Sequence, residues 1–108
     1  MAALDSGDRA SVTIKTWVED GTPVVSLSGE LDLTNAEHVR SVISDALSGQ
    51  TARLVFDMSG VQFMDSSGIA LLASAIRKVQ EVELRNPTPI VRRLVELTGL
   101  AGILRITP

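Results

Sequence analysis

The sequence predicts an α/β domain in which an N-terminal antiparallel hairpin leads into a mainly parallel sheet, with helices mostly on one face. Three observations carry this. Segments of period two and period 3.6 follow one another as strand, strand, helix, strand, helix, strand, helix, strand, and a helix between two strands implies parallel pairing through a right-handed crossover. The first two strands are separated only by Asp20 and a Gly21-Thr22-Pro23 turn, which is a hairpin connection. Strands covered on both faces read as unbroken apolar runs, whereas the second, fourth and last strands here alternate apolar with polar residues, leaving one sheet face to water.

Each element has its own signal. Residues 1–10 are small, polar and Gly-containing, and are predicted to be a flexible tail before a single domain at 11–108. Ser11 to Val18 is a strand with Val12 and Ile14 as its clearest apolar positions; Val24 to Leu31 places Val25, Leu27 and Leu31 on one face and Ser26 and Ser28 on the other. Thr34 and Glu37 have the spacing of a capping box, and Val39, Val42, Ile43, Ala46 and Leu47 keep helical spacing until Gly49 ends it. Arg53 to Met58 is a central strand, with Leu54, Val55 and Phe56 in succession, and Ser59-Gly60 reads as a turn toward Val61–Met64. A second helix carries Ile69, Leu72, Ala73 and Ile76 on one stripe and stops near Lys78, because Val82 to Arg85 alternates as a strand. Asn86-Pro87-Thr88-Pro89 supplies a turn, an N-cap at Thr88 and a proline at the first helical position. Val91, Leu94, Val95 and Thr98 form the inward stripe of the third helix, Gly99 its C-cap, and Ile103 to Ile106 a last strand.

Composition removes several classes of chemistry. The 108 residues include no cysteine and one histidine, His38, so disulfides, thiolate metal sites, thiol nucleophiles and multi-histidine metal sites are excluded. Net charge is −3 with lysines and arginines scattered, which argues against a nucleic-acid partner. No apolar run is long enough to span a bilayer and the N-terminus lacks a basic region before an apolar block, so the expected location is the cytoplasm, with no membrane partner.

The chain is organised around Val55–Arg77, where Asp65-Ser66-Ser67-Gly68 immediately precedes a helical pattern. Ser66 has an ordinary reading as the N-cap, accepting from an unpaired amide of the first turn. It has a second reading from the same geometry, because unpaired amides and the positive end of the helix dipole suit a negative group such as a phosphate. Local sequence by itself favours the first. A serine hydrolase using Ser66 or Ser67 with His38 and an Asp has little behind it, since no Gly-x-Ser-x-Gly elbow is present and His38 lies on the helix after the wrong strand. Asp32, Asp57 and Asp65 read as solvated turn and strand-end carboxylates rather than a divalent-metal cluster.

Three blocks shift the balance at Ser66. Gly29-Glu30-Leu31-Asp32, then Phe63-Met64-Asp65-Ser66-Ser67-Gly68-Ile69, then Asn86-Pro87 through Val95 to Leu97-Thr98-Gly99-Leu100 resemble the signature blocks of the bacterial anti-sigma factor antagonists, the STAS-domain proteins. The resemblance runs from about Val12 to Ile106. It implies the STAS fold and a partner switch rather than an enzyme, with no cofactor and no metal. The unmodified protein binds a serine kinase that doubles as an anti-sigma factor, which frees a sigma factor; the kinase, using ATP, then phosphorylates the first serine and ends the complex. A serine phosphatase acting on the phosphorylated form resets the switch. By position the acceptor is Ser66, with Ser67 as the alternative, and Glu30, Asp32, Asp65, Ser66, Ser67 and Gly68 are the expected partner-binding residues. A STAS interaction subunit of a sensory or lipid-transport assembly, never phosphorylated, stays open beside it. One feature departs from the family pattern: Ile76 to Glu81 passes almost directly into Val82, without the Gly-containing turn usual between the second helix and the next strand.

Overall fold

The chain first reverses at Asp20-Gly21. Both residues have positive φ, 50° and 80°, as a two-residue type I′ turn requires for its twist to match that of the strands. Strands β1 (Val12–Glu19) and β2 (Thr22–Leu31) pair antiparallel from Glu19↔Thr22 to Val12↔Gly29. Thr22 and Pro23, read from the sequence as part of the turn, thus lie inside β2. Pro23 is tolerated there because the closing pair Glu19–Thr22 exchanges both bonds, so the next residue turns its missing N–H away from β1. The parallel ladder to the following strand begins only at Val24.

After the hairpin come α1 (Ala36–Leu47), β3 (Arg53–Met64), α2 (Ser66–Lys78), β4 (Glu81–Arg85), α3 (Pro89–Leu97), a 3₁₀ turn at Leu100–Gly102 and β5 (Arg105–Thr107). This is a computed structural model that describes residues 11–49 and 52–108; the predicted tail, residues 1–10, lies outside the described residues. The sheet order is β1-β2-β3-β4-β5, and every pair after the first is parallel. Neighbouring strands joined by crossovers of one hand place all their helices on one side. One cluster accordingly unites Leu27, Phe56 and Leu84 of the sheet with Val39, Leu72 and Val95 of the three helices. The opposite face is polar, as the alternation predicts. It carries ion pairs from Arg85 to Glu19 (3.2 Å) and Glu83 (3.3 Å), and from Glu81 to Arg105 (3.1 Å) and Arg53 (3.7 Å). Val24 and Val55 are buried on this face, outside the main cluster, with Trp17 as the cross-strand neighbour of Val24.

The main correction to the sequence reading is β3. Ser59-Gly60 is not a turn; β3 is one strand of 12 residues. Its register against β2 slips once between Ser26 and Ser28 and again between Gly29 and Glu30. Each slip adds one residue to β3 and shifts the side-chain phase, so Met58, Val61 and Met64 are all buried at a spacing of three, which an unbulged strand of period two cannot do. Asp57 holds the first bulge by accepting from the Ser59 N–H (3.1 Å) and hydroxyl (2.9 Å). At Gly60 a Cβ would stand 2.5 Å from the Ser28 Cβ, so glycine lets the two strands close across it.

Of the two threonines expected at helix starts, one is displaced and the other keeps its place but bonds elsewhere. Thr34 does not cap α1, which starts at Ala36 with Asn35 at the cap position, and Glu37 pairs with Arg40 (3.4 Å) rather than reaching back. Thr88 stands at the N-cap position of α3 with Pro89 first in the helix, but its hydroxyl donates to the Val61 carbonyl (2.7 Å) and so ties α3 to β3. The short connection after α2 is accommodated by Val79, which is buried and donates its N–H to the Ala75 carbonyl (3.1 Å), leaving Gln80 as the one further residue before β4. At the chain end the strand is Arg105–Thr107 rather than 103–106, because Leu104 turns into the core while Ile103 stays exposed.

Candidate functional site

The start of α2 determines what Ser66 can do. Asp65, not Ser66, is the N-cap: with φ −113° and ψ −166° it is still extended, and its carboxylate accepts from the Ser67 N–H at 2.8 Å. The Asp65 carbonyl takes the Gly68 (3.0 Å) and Ile69 (3.4 Å) N–H groups. Ser66 is therefore the first helical residue, exposed, with its hydroxyl spared from capping; Ser67 is half-buried. Gly68 is buried. A Cβ there would come within 2.6 Å of the Met64 sulfur and 3.1 Å of Leu31 Cδ2, so its place is packing beneath the site rather than the contact surface assigned from sequence. Its missing side chain lets the first turn of α2 press onto the ends of β2 and β3.

Those strand ends bring the first signature block alongside the second. Glu30 and Leu31 stand opposite Phe63 and Met64, and the Asp65 N–H extends the ladder to the Leu31 carbonyl (3.3 Å). The loop that follows β2 is held by its own polar groups. Asp32 Oδ1 accepts from the Thr34 N–H (3.0 Å) and hydroxyl (2.6 Å). Asn35, 1% exposed, donates through Nδ2 to the Glu30 carbonyl (2.8 Å) and accepts through Oδ1 from the Asp32 N–H (3.1 Å). The sequence reading missed Asn35. The available signal was a good capping residue one position after the Thr34 to which the cap was assigned.

At the carboxyl ends of β2 and β3 the fold thus assembles the Ser66 hydroxyl, the carboxylates of Glu30, Asp32 and Asp65, and two exposed apolar side chains, Leu33 (79% exposed) and Phe63 (43%). The carboxylates have structural work nearby: Asp32 holds its loop, and Asp65 caps α2. Asp57 sits back in β3 on its bulge. Among the described residues no three His, Asp or Glu side chains are arranged to hold a metal ion. His38 keeps Nε2 buried without a hydrogen-bond partner among the described residues. A cleft of about 180 Å³ opens elsewhere, between Glu19, Arg53, Glu83 and Arg85, and contains none of these residues. Among the described residues no helix is long and apolar enough to cross a membrane. Chemically, the site offers an exposed hydroxyl at the positive end of a helix dipole, with the carboxylates of Glu30, Asp32 and Asp65 on the adjoining strand ends and loop.

Comparison with known proteins bears on the family and the fold. Residues 13–108 match the STAS domain family. An anti-sigma F factor antagonist of Lysinibacillus sphaericus is 36% identical over 84 residues, which cover 73% of this chain and 72% of that one. The crystal structure of an anti-sigma factor antagonist from Mycobacterium paratuberculosis superposes with a TM-score of 0.84 at 32% identity, covering 91% of this chain and 86% of the other. The Bacillus cell fate determinant SpoIIAA, an anti-sigma factor antagonist solved both unphosphorylated and phosphorylated, is 28% identical; the TM-scores are 0.75 and 0.70, with 89% of this chain covered in each and 89% and 92% of SpoIIAA. With its first two signature blocks meeting at the carboxyl ends of β2 and β3 and residues 13–108 matched, this chain belongs to the STAS-domain family of anti-sigma factor antagonists.

Proposed function

We propose that this protein is a phosphorylation-controlled partner switch. Its unmodified form binds a serine kinase that is also an anti-sigma factor, releasing a sigma factor, and phosphorylation of Ser66 by that kinase ends the complex until a phosphatase removes the group. The observation that carries this reading is the exposure of Ser66 at the first position of α2 with the cap supplied by Asp65. Ser66 is preferred to Ser67 because Ser67 is half-buried. Glu30, Asp32 and Asp65, with Leu33 and Phe63, form the surface that meets the kinase, and the protein itself catalyses nothing.

The energetics need no refolding. A phosphate on Ser66 adds about −1.5 to −2 charge. The helix dipole favours it by roughly 0.3–1 kcal/mol. A carboxylate that lay about 4 Å from it near the surface would repel it by about 4 kcal/mol, and covering the site with a partner would remove the water that screens that repulsion. Every 1.4 kcal/mol of added repulsion in the complex weakens it about tenfold.

The test is incubation with serine kinases of the same genome and ATP, read by intact mass and by capture. One phosphate is expected on the parent at Ser66 and none on Ser66→Ala. Ser66→Ala should hold the kinase in the presence of ATP, and Ser66→Glu should bind it about tenfold more weakly or worse. No phosphate gained with any kinase assigns the chain to the unphosphorylated interaction subunits instead, and equal binding by both variants places the switch elsewhere.

A further inference from the structure

The outer edge of β1 carries a pattern that the Ser66 site does not use. β1 terminates the sheet, so among the described residues no strand lies on its outer side. Lys15, Thr16, Trp17, Val18 and Glu19 are exposed in unbroken succession, Trp17 at 39% and Val18 at 66%. An edge of this kind is a template for another strand. We propose that β1 pairs antiparallel with β1 of a second copy of this chain, with Trp17 opposite Trp17 across a two-fold axis.

Backbone geometry permits that register, and charge selects it among those permitted. The type I′ turn makes Glu19 and Thr22 a pair that exchanges both bonds, so Lys15, Trp17 and Glu19 direct their N–H and C=O groups toward β2, while Thr16 and Val18 direct theirs outward. In a pairing centred on Trp17, Thr16 of one copy exchanges bonds with the partner's Val18, and the reverse holds across the axis. The same register sets Lys15 against the partner's Glu19 twice, on the helix-free face where Trp17 also lies. Centred on Lys15, the pairing would bring like charges together. A lysine on an edge ordinarily discourages pairing, and here a carboxylate answers it. Glu19 is already oriented, since its carboxylate accepts from Trp17 Nε1 (2.8 Å) and Arg85 Nη1 (3.2 Å), which reduces the ordering cost of the contact. The paired half of β1 lies by the start of β2, whereas Ser66 lies by its end at Leu31. Both Ser66 sites of the dimer therefore stay open.

Sedimentation equilibrium up to millimolar concentration tests this, with the emission of Trp17, the one tryptophan, as a second signal. The parent should move from 11.5 kDa to twice that mass as concentration rises, with a blue shift in emission. Lys15→Glu or Glu19→Lys turns both charged pairs repulsive and should weaken association about tenfold (about 1.4 kcal/mol) or more. Mixing the two variants restores opposite charges in both pairs and should restore the dimer. Thr16→Pro, which removes an outward N–H and leaves the bonds to β2 intact, should be monomeric with an unchanged far-ultraviolet spectrum. A parent that stays monomeric throughout overturns the proposal, as does a dimer indifferent to both charge reversals, or folded single variants that fail to associate when mixed.

Discussion

Which of two adjacent side chains caps α2 decides whether Ser66 is available. Asp and Ser are both good N-caps, and sequence alone could not rank Asp65 against Ser66. The structure ranks them through the Asp65 backbone, held extended by its N–H bond to Leu31, so the carboxylate reaches the Ser67 amide. Replacing Asp65 with Ala should cost about 1 kcal/mol, seen as a lower urea midpoint at unchanged slope, while Asp65→Ser should retain most of the stability. An Asp65→Ala protein as stable as the parent would mean that another group caps the helix. The start of α2 was legible to within one residue, because a hydroxyl pair preceding a helical period is local information. Thr34 was misjudged because its hydroxyl serves Asp32 and the cap position falls to Asn35. Thr88 stands at the N-cap as expected, and what its sequence did not show is the bond of its hydroxyl to the Val61 carbonyl, 27 positions away.

Between elements, the β2–α1 loop depends on Asn35. Asn35→Ala removes two hydrogen bonds at a buried position and leaves the Glu30 carbonyl and Asp32 amide to find water. A buried group left unsatisfied costs about 1–3 kcal/mol, and that loss is expected in chemical denaturation. Faster amide exchange should spread over residues 32–36 while α3 keeps its protection; a uniform change would show that Asn35 supports global stability without shaping the loop. The helices were legible to within two residues at their starts, since the 3.6-residue stripe is strong. The β3 bulges were not. A bulge is fixed by the partner strand's register, and Ser59-Gly60 looks like a turn until Asp57 and Ser28 are placed beside it.

Across the whole molecule, the helix-free face is held by charge. The Glu19 carboxyl lies below its ordinary 4.5, first through the hydrogen bond from Trp17 and then, against desolvation, through Arg85, whose own guanidinium is raised despite desolvation by its bonds to Glu83 and Glu19. A depressed carboxyl contributes stability that is present above its unfolded value and is lost as pH falls through the folded one. Glu19→Gln should therefore unfold at lower denaturant than the parent near neutral pH, and the two midpoints should converge below about 4.5, measured at dilute protein. A constant gap across the acid range would rule out this linkage. This bridge joins β1 to β4, two strands apart from direct pairing, and nothing in the local sequence announces it.

The sequence by itself determined the order of elements, the parallel sheet with one open face, and the serine at the mouth of α2. Those follow from periodicities and short blocks within one segment. Only the tertiary structure decided that Asp65 caps that helix, that Asn35 braces the neighbouring loop, that β3 runs unbroken through two bulges, and that β1 ends in an exposed, self-complementary edge. The reason is physical: a hydrophobic period is felt along the chain, whereas hydrogen-bond partners and strand registers are chosen among groups that only folding brings together.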